Sequence, residues 1–299
     1  MSTAITLIKR NIKLFFKDKG MFFTSLITPA ILLVLYATFL SNVYRSSFTE
    51  SLPASFSLPD SIIDGLVGGQ LISSLLAVSC VTVAFCANFL MVQDKANSTI
   101  KDLKISPVNS SVLSMSYYIA SLLSTLMICF VATGICLAYA AFVGWYMSAA
   151  DVFLLFLDVL LLALFGTALS SIINLFLSTQ GQISAVGTII SAGYGFICGA
   201  YMPISSFGSG LQKVLSFLPG TYGTSLVRNH AMQGVLAEMN KQGVPMEVIE
   251  EIKDSLDCNL YFFDHQVGIS SMYMILGVTI VILIGAYILI NLMRKGIRK

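Results

Sequence analysis

Six long apolar runs dominate this chain, at roughly residues 21–41, 66–92, 114–144, 152–177, 183–203 and 270–293. About 20 apolar residues let a helix cross about 30 Å of hydrocarbon, and each run reaches that length. Inside a bilayer the backbone finds no water, so only helices or a closed barrel can span it. A barrel shows short alternating segments, whereas these runs are continuous. The pattern predicts an all-α membrane protein with six transmembrane helices. Composition points the same way. The chain is 56% hydrophobic and 11% charged, with mean hydropathy +0.85, against about 25% charge in a soluble domain. That argues against a soluble enzyme.

Lys and Arg placement sets the orientation. Lys9, Arg10, Lys13, Lys17 and Lys19 precede the first run. Lys95, Lys101 and Lys104 fall between the second and third, and Arg294, Lys295, Arg298 and Lys299 follow the sixth. Those twelve of the 17 basic residues share one side under six spans. Both termini are therefore expected in the cytoplasm, with the multi-pass chain in a cell membrane. The net charge of +2 hides this asymmetry and suggests no nucleic-acid partner. The first apolar run reaches Leu40 without a cleavage-site pattern, so a cleaved signal is not expected. The six cysteines show no metal spacing, and neither a metal site nor a disulfide framework is expected.

Residues 1–20 predict a cytoplasmic interfacial helix. Ile5, Ile8, Ile12, Phe15 and Phe16 fall on one side, with Arg10, Lys13 and Lys17 on another. Leu7 and Leu14 break the pattern and suggest a further contact, with protein. The remaining chain, 21–299, reads as one six-span domain. Within it, 93–112 is the one sizeable cytoplasmic loop. Its stretch from Gln93 to Val108 carries Ile100, Leu103 and Ile105 at helical spacing before Ser106-Pro107 turns the chain back. A short charged helix with an apolar stripe suits a cytoplasmic partner.

The segment from Thr188 to Arg228 is broken. An apolar run stops at Pro203, continues as an amphipathic stretch over 204–218 and breaks again at Pro219-Gly220. It predicts a re-entrant outer helix, which membranes tolerate only where it packs in protein or lines a watery cavity. That points toward transport. Residues 220–268 then form the largest outer segment, with helices expected over 224–241 and 245–257 and an acidic face.

Two stretches resemble the type-2 ABC exporter permeases. In the loop, Asp94-Lys95, Ser98-Thr99, Leu103 and Ser106-Pro107-Val108 match the family's coupling-helix region. In the broken segment, Pro203, Leu218-Pro219 and Thr221-Tyr222 match its re-entrant region. Asp94 stands where Glu is commoner, and Ser98 where Gly is commoner. The six-span plan and the amphipathic N-terminus fit as well. The resemblance implies a bacterial permease that pairs with a second copy or a homologous permease. It further implies coupling through Asp94, Lys95, Ser98, Thr99, Leu103, Ser106 and Pro107 to a cytoplasmic ABC ATPase. ATP and Mg would sit on that partner, since this sequence has no G-x-x-x-x-G-K-[ST] loop; no cofactor is expected on this chain. By the same analogy, Asn88, Ser191, Tyr194 and Phe196, on the second and fifth spans, are candidates for the substrate pathway.

Weaker signals yield to plainer readings. Ser191-Ala192-Gly193-Tyr194-Gly195 looks like an ion filter but lies inside a continuous apolar run. Gly195 and Gly199 instead form a G-x-x-x-G pattern for helix packing. Asp158 lies inside the fourth span and reads as structural, reaching a polar neighbour. Ser225 and His230 lack a nucleophile elbow, so the chain is not expected to be an enzyme.

The function expected is the membrane subunit of an ATP-driven exporter of a drug, lipid or hydrophobic peptide, working by alternating access among membrane lipids. Alternatives are a glycan or teichoic-type polymer exporter, and a stand-alone channel or secondary carrier. The orientation is directly testable. A cysteine introduced at Glu250 should react with an impermeant reagent added to intact cells. Reaction only after permeabilisation would invert the topology.

Overall fold

The computed structural model describes residues 2–51, 58–105 and 108–296. In chain order, α1 is Ser2–Lys17 and α2 is Lys19–Leu35, which runs through a π-turn at Tyr36–Leu40 into α3, Ser41–Ser51. Then come α4 (Asp60–Ala96), α5 (Thr99–Ile105), α6 (Ser110–Val143), α7 (Ala149–Phe176) and α8 (Gln180–Ile197). A 3-10 turn at Ile204–Ser206 leads to α9 (Ser209–Leu215), α10 (Pro219–Lys241) and α11 (Met246–Ser255). A small hairpin, β1 (Leu260–Phe262) and β2 (His265–Val267), precedes α12, Ile269–Gly296.

α4 is the axis of the bundle. It is apolar on every side, and such a helix belongs inside protein or membrane. Residues 66–92 are buried without a break, the same stretch expected as the second span. Helices α2, α6, α7, α8 and α10 pack around it. The caps are written in the sequence. Ser148 and Asp151 close a capping box on α7, and Thr179 and Gln182 close one on α8. Each satisfies amide donors that the first turn leaves open.

Among the described residues, five helices are long and apolar enough to cross a membrane: Lys19–Ser46, Asp60–Ala96, Ser110–Val143, Ala149–Phe176 and Ile269–Met293. The expected run 183–203 falls on α8, which has 18 residues and ends at Ile197. Gln180 and Gln182 in its first turn reduce its apolar length.

Four expectations change. First, α1 is seated on protein along one side. Leu7, Asn11 and Phe15 are buried, with α1 packed on α6 and α4, while Ile5 and Phe16 remain exposed. The residues that broke the pattern, Leu7 and Leu14, belong to this protein-facing stripe. Second, 204–218 is not one helix; it holds the 3-10 turn and the seven-residue α9. Third, α10 is not a surface helix. From Gly220 to Met232 its residues are buried, Asn229 only partly, against α4, α7 and α12. Fourth, the chain is not wholly α. β1 pairs antiparallel with β2, Leu260 opposite Val267 and Phe262 opposite His265.

Glycine permits the closest crossing. A Cβ on Gly166 of α7 would stand 2.9 Å from the Cys80 carbonyl oxygen and 3.0 Å from the Val81 Cα of α4. Backbone cannot step aside, so Gly166→Val should force the helices apart. Overpacking of this kind costs about 1–3 kcal/mol. The expected readout is a lower thermal midpoint in detergent. Gly193→Ala, where nothing lies within 4 Å, should leave the midpoint unchanged.

Candidate functional site

The end of α4 carries the first polar cluster. Asp94 Oδ2 accepts from Arg10 Nη1 of α1 at 2.8 Å and from the Tyr117 hydroxyl of α6. Asp94 is 7% exposed, so this acid clamps three helices and does not face solvent. Its neighbour Lys95 turns the other way. Lys95 Nζ donates to the carbonyl oxygens of Asn174, Leu175 and Leu177, at 2.7, 3.1 and 2.9 Å. Those carbonyls close the C-terminus of α7, where a cation complements the helix dipole.

Two residues then turn α4 into α5. The Ser98 amide donates to Lys95 O at 3.2 Å, and Ser98 holds φ +62. That left-handed conformation accounts for glycine being commoner there in the family pattern. Thr99 opens α5. Ile100 and Leu103 pack inward on the core, while Lys101 and Asp102 are exposed and Ile105 is 85% exposed. The expected stripe of Ile100, Leu103 and Ile105 is therefore divided: two residues dock the helix, and Ile105 stands outward. Ser106 and Pro107 lie outside the described residues.

A groove of about 1460 Å³ opens between α2 and α8, with Cys86, Phe89 and Gln93 of α4 as its floor. Ile27, Ile31 and Leu35 line one wall and Ile183, Ser191 and Phe196 the other; Tyr201–Pro203 border it. Two of the four pathway candidates, Ser191 and Phe196, thus lie on its surface. The other two point into the bundle. Asn88 Nδ2 donates to Ser170 Oγ at 2.6 Å and Ser171 Oγ at 2.9 Å, tying α4 to α7. Tyr194 is buried, its hydroxyl against Gly220. Around α8, Tyr194 sits about 160° from Phe196, so the two rings face opposite ways. The two glycines do not share a helix face either. α8 ends at Ile197, Gly199 lies beyond it with φ +74, and the face of Gly195 is filled by the Tyr201 ring at 2.4 Å from a would-be Cβ.

Two further buried networks lie away from the Asp94 end; the sequence flagged Asp158 in one of them but named the partners of neither. Arg228 of α10 is 1% exposed. Its Nη1 donates to Leu256 O at 2.5 Å and its Nη2 to Gly199 O at 2.9 Å, with Asp257 Oδ2 3.6 Å away. Asp257 in turn accepts from the amides of Ile204 and Ser205, at 2.5 and 3.1 Å. One arginine thereby joins α10, the end of α8, the 3-10 turn and the end of α11. Burial pushes the Asp257 carboxyl above its ordinary range, opposed by Arg228 and the two amides. On the exposed surface nearby, Lys253 and Asn259 hold Glu250 below its range.

The second network centres on Asp158. Its Oδ1 accepts from the Tyr273 hydroxyl of α12 at 2.6 Å, and its Oδ2 stands 2.6 Å from His230 Nδ1 of α10. The acid does find its polar neighbours, and His230 serves as one of them. Among the described residues, no group of three or more His, Cys, Asp or Glu converges as metal ligands would.

Asp94 offers a direct test of the clamp it forms with Arg10 and Tyr117. Asp94→Ala leaves the Arg10 and Tyr117 donors without their acceptor, at a cost of about 1–3 kcal/mol. Amide exchange over Leu7–Phe15 should then accelerate about tenfold, since about 1.4 kcal/mol is one decade. Unchanged exchange would show that hydrophobic contact alone seats α1.

No curated protein matches this chain. A family model does: that of the ABC-2 type transporter matches residues 3–231, a stretch that takes in α1, the clamp, α5, both groove walls and most of α10. The chain is an all-α-type multi-pass membrane protein, and it belongs to the ABC-2 type transporter family.

Proposed function

We propose that this protein is the membrane-spanning half of an ATP-driven exporter. In this reading a separate cytoplasmic ATPase drives it, and two permease chains face one another across the groove. The observation that carries the reading is the mounting of α5. Its inner face is docked through Ile100 and Leu103, and its outer face presents Lys101, Asp102 and Ile105. Exposed apolar side chains ringed by charge suit a partner's groove. Asn97 and Ser98 are the whole connection to α4, and Asp94 and Lys95 lie immediately before them. A push on α5 therefore reaches α4 through a stiff turn, and α1, α6 and α7 through the two clamps.

The groove supports alternating access. Its α2 wall packs on the axis through one face only, so most of α2 is free to tilt against α4. When two chains close, the groove faces the cytoplasm; when α5 is driven, it faces outward. The wall carries Ile27, Ile31, Leu35, Phe39 and Phe196, relieved by Thr24, Thr28, Ser184, Thr188 and Ser191. That mixture suits a hydrophobic or amphiphilic cargo such as a drug, lipid or apolar peptide. A glycan polymer would call for more polar donors and acceptors. In this topology both termini and α5 are cytoplasmic, α8 is the sixth span, and the return segment through α9 closes the outer end.

The test separates docking from folding. Ile105→Asp and Lys101→Glu alter exposed side chains, so the permease should insert and pair normally. Losing an apolar contact worth about 1.5–3 kcal/mol should weaken ATPase capture about tenfold or more. Leu103→Asp should instead loosen α5 from the bundle. Normal capture and normal cargo-stimulated ATP turnover in both surface variants would refute the coupling role of α5.

A further inference from the structure

Phe263 occupies a position that a bulky residue rarely takes. It is the first turn residue of the β1–β2 hairpin and holds φ +54. Two-residue hairpins that need a positive φ at this place normally use glycine. A strained aromatic at an exposed tip calls for a role in which the ring matters. The ring is not alone. Phe262 and Phe263 pack edge to face at 5.0 Å, Phe217 at the end of α9 meets them at 5.1 and 6.1 Å, and Lys213 Nζ lies 5.7 Å from the Phe263 ring. All three rings remain exposed, together with Leu211, Val214 and Tyr261. This is a contiguous apolar patch with one cation at its edge.

Helix rise places the patch at a definite depth. Lys95 marks the inner end of α7 near Phe176. Asp158 lies 18 residues (176 − 158) from Phe176 on α7, or about 27 Å at about 1.5 Å per residue. Tyr273 of α12 is bonded to Asp158. Ile269, the first residue of α12, is four residues further out, or about 6 Å more. The hairpin thus joins α12 about 33 Å from the inner end, where about 30 Å of hydrocarbon gives way to headgroups. Below it, α12 exposes Met274, Val278, Val281 and Ile282, the surface of a helix facing lipid. The aromatic patch continues that surface by chain connection at its outer rim. A lysine stem laid against apolar surface, with its ammonium at the rim, is the disposition of a headgroup-level anchor.

We infer that α9 and the tip of the β1–β2 hairpin form a lipid-binding anchor that seats the return segment in the outer-leaflet headgroup boundary. Phe217, Phe262 and Phe263 enter the upper acyl region, and Lys213 meets the phosphates. Asp264 and His265, exposed beside the tip, stay on the aqueous side.

Trp145 is the single native tryptophan, so W145F supplies a silent background. In it, F263W is reconstituted into phosphatidylcholine vesicles brominated either near the headgroup or at the chain ends. Headgroup-proximal bromine should quench the indole more than chain-end bromine, and aqueous iodide should quench it less than free tryptophan. F217W, on the other element of the patch, should give the same order and serves if F263W folds poorly. Strong iodide quenching with no effect of bromolipid would place the patch in water and overturn the inference. So would silence toward both quenchers with disulfide cross-linking of F263C between copies, which would make a second chain the occupant.

Discussion

Everything in this molecule hangs on one helix that the other helices enclose. α4 is buried from residue 66 to residue 92, and five other helices lean on it. The bilayer offers little hydrophobic drive for helices to associate, so packing quality and hydrogen bonds must hold them. The chain supplies both. Gly69 and Gly166 bring α10 and α7 down onto the α4 surface. Asn88 then crosses to Ser170 and Ser171 of α7. Backbone contact gives closeness, and the amide fixes register.

Charged groups work at the two ends of this axis and nearly nowhere between. At one end, Asp94 and Lys95 point in opposite directions, one gathering α1 and α6, the other capping α7. Adjacent residues on a helix diverge by about 100°, so a single acid–base pair can hold helices on two sides. At the other end Arg228 takes the same part, binding the carbonyls of Gly199 and Leu256 that irregular chain leaves open. A buried arginine is tolerable because its donors reach Ser73, two carbonyls and a nearby carboxylate. The Asp158 network lies between, where α7, α10 and α12 meet. The α2 wall of the groove, by contrast, packs on the axis through one face only.

Much of this was legible in the residues. Apolar length alone marked the spanning helices, because hydrocarbon thickness sets a minimum that no soluble helix needs. The stretch after Asp94-Lys95 announced a short helix, which is α5, and the isolated Asp158 announced that partners had to exist. Less was legible about direction. Arg10 reads as one of a basic cluster, and Arg228 as a lone outer charge, because sequence spacing does not reveal which residue across 84 or 155 positions lies opposite. The same gap hid the split between Ser191 and Tyr194, and between Ile105 and Leu103.

The sequence by itself determined the solvent: a chain this apolar, with its cations gathered between and beyond particular runs, must fold in a membrane as helices. Those are local properties, governed by transfer free energy and backbone satisfaction. Only the tertiary structure decided which helix became the axis, which face of α1 met protein, and that α10 runs inside the bundle rather than over it. Those choices depend on shape complementarity between distant segments, such as a glycine opposite a carbonyl or an arginine opposite two open carbonyls. No local pattern encodes that kind of contact, because each half of it looks ordinary until the other half is brought alongside.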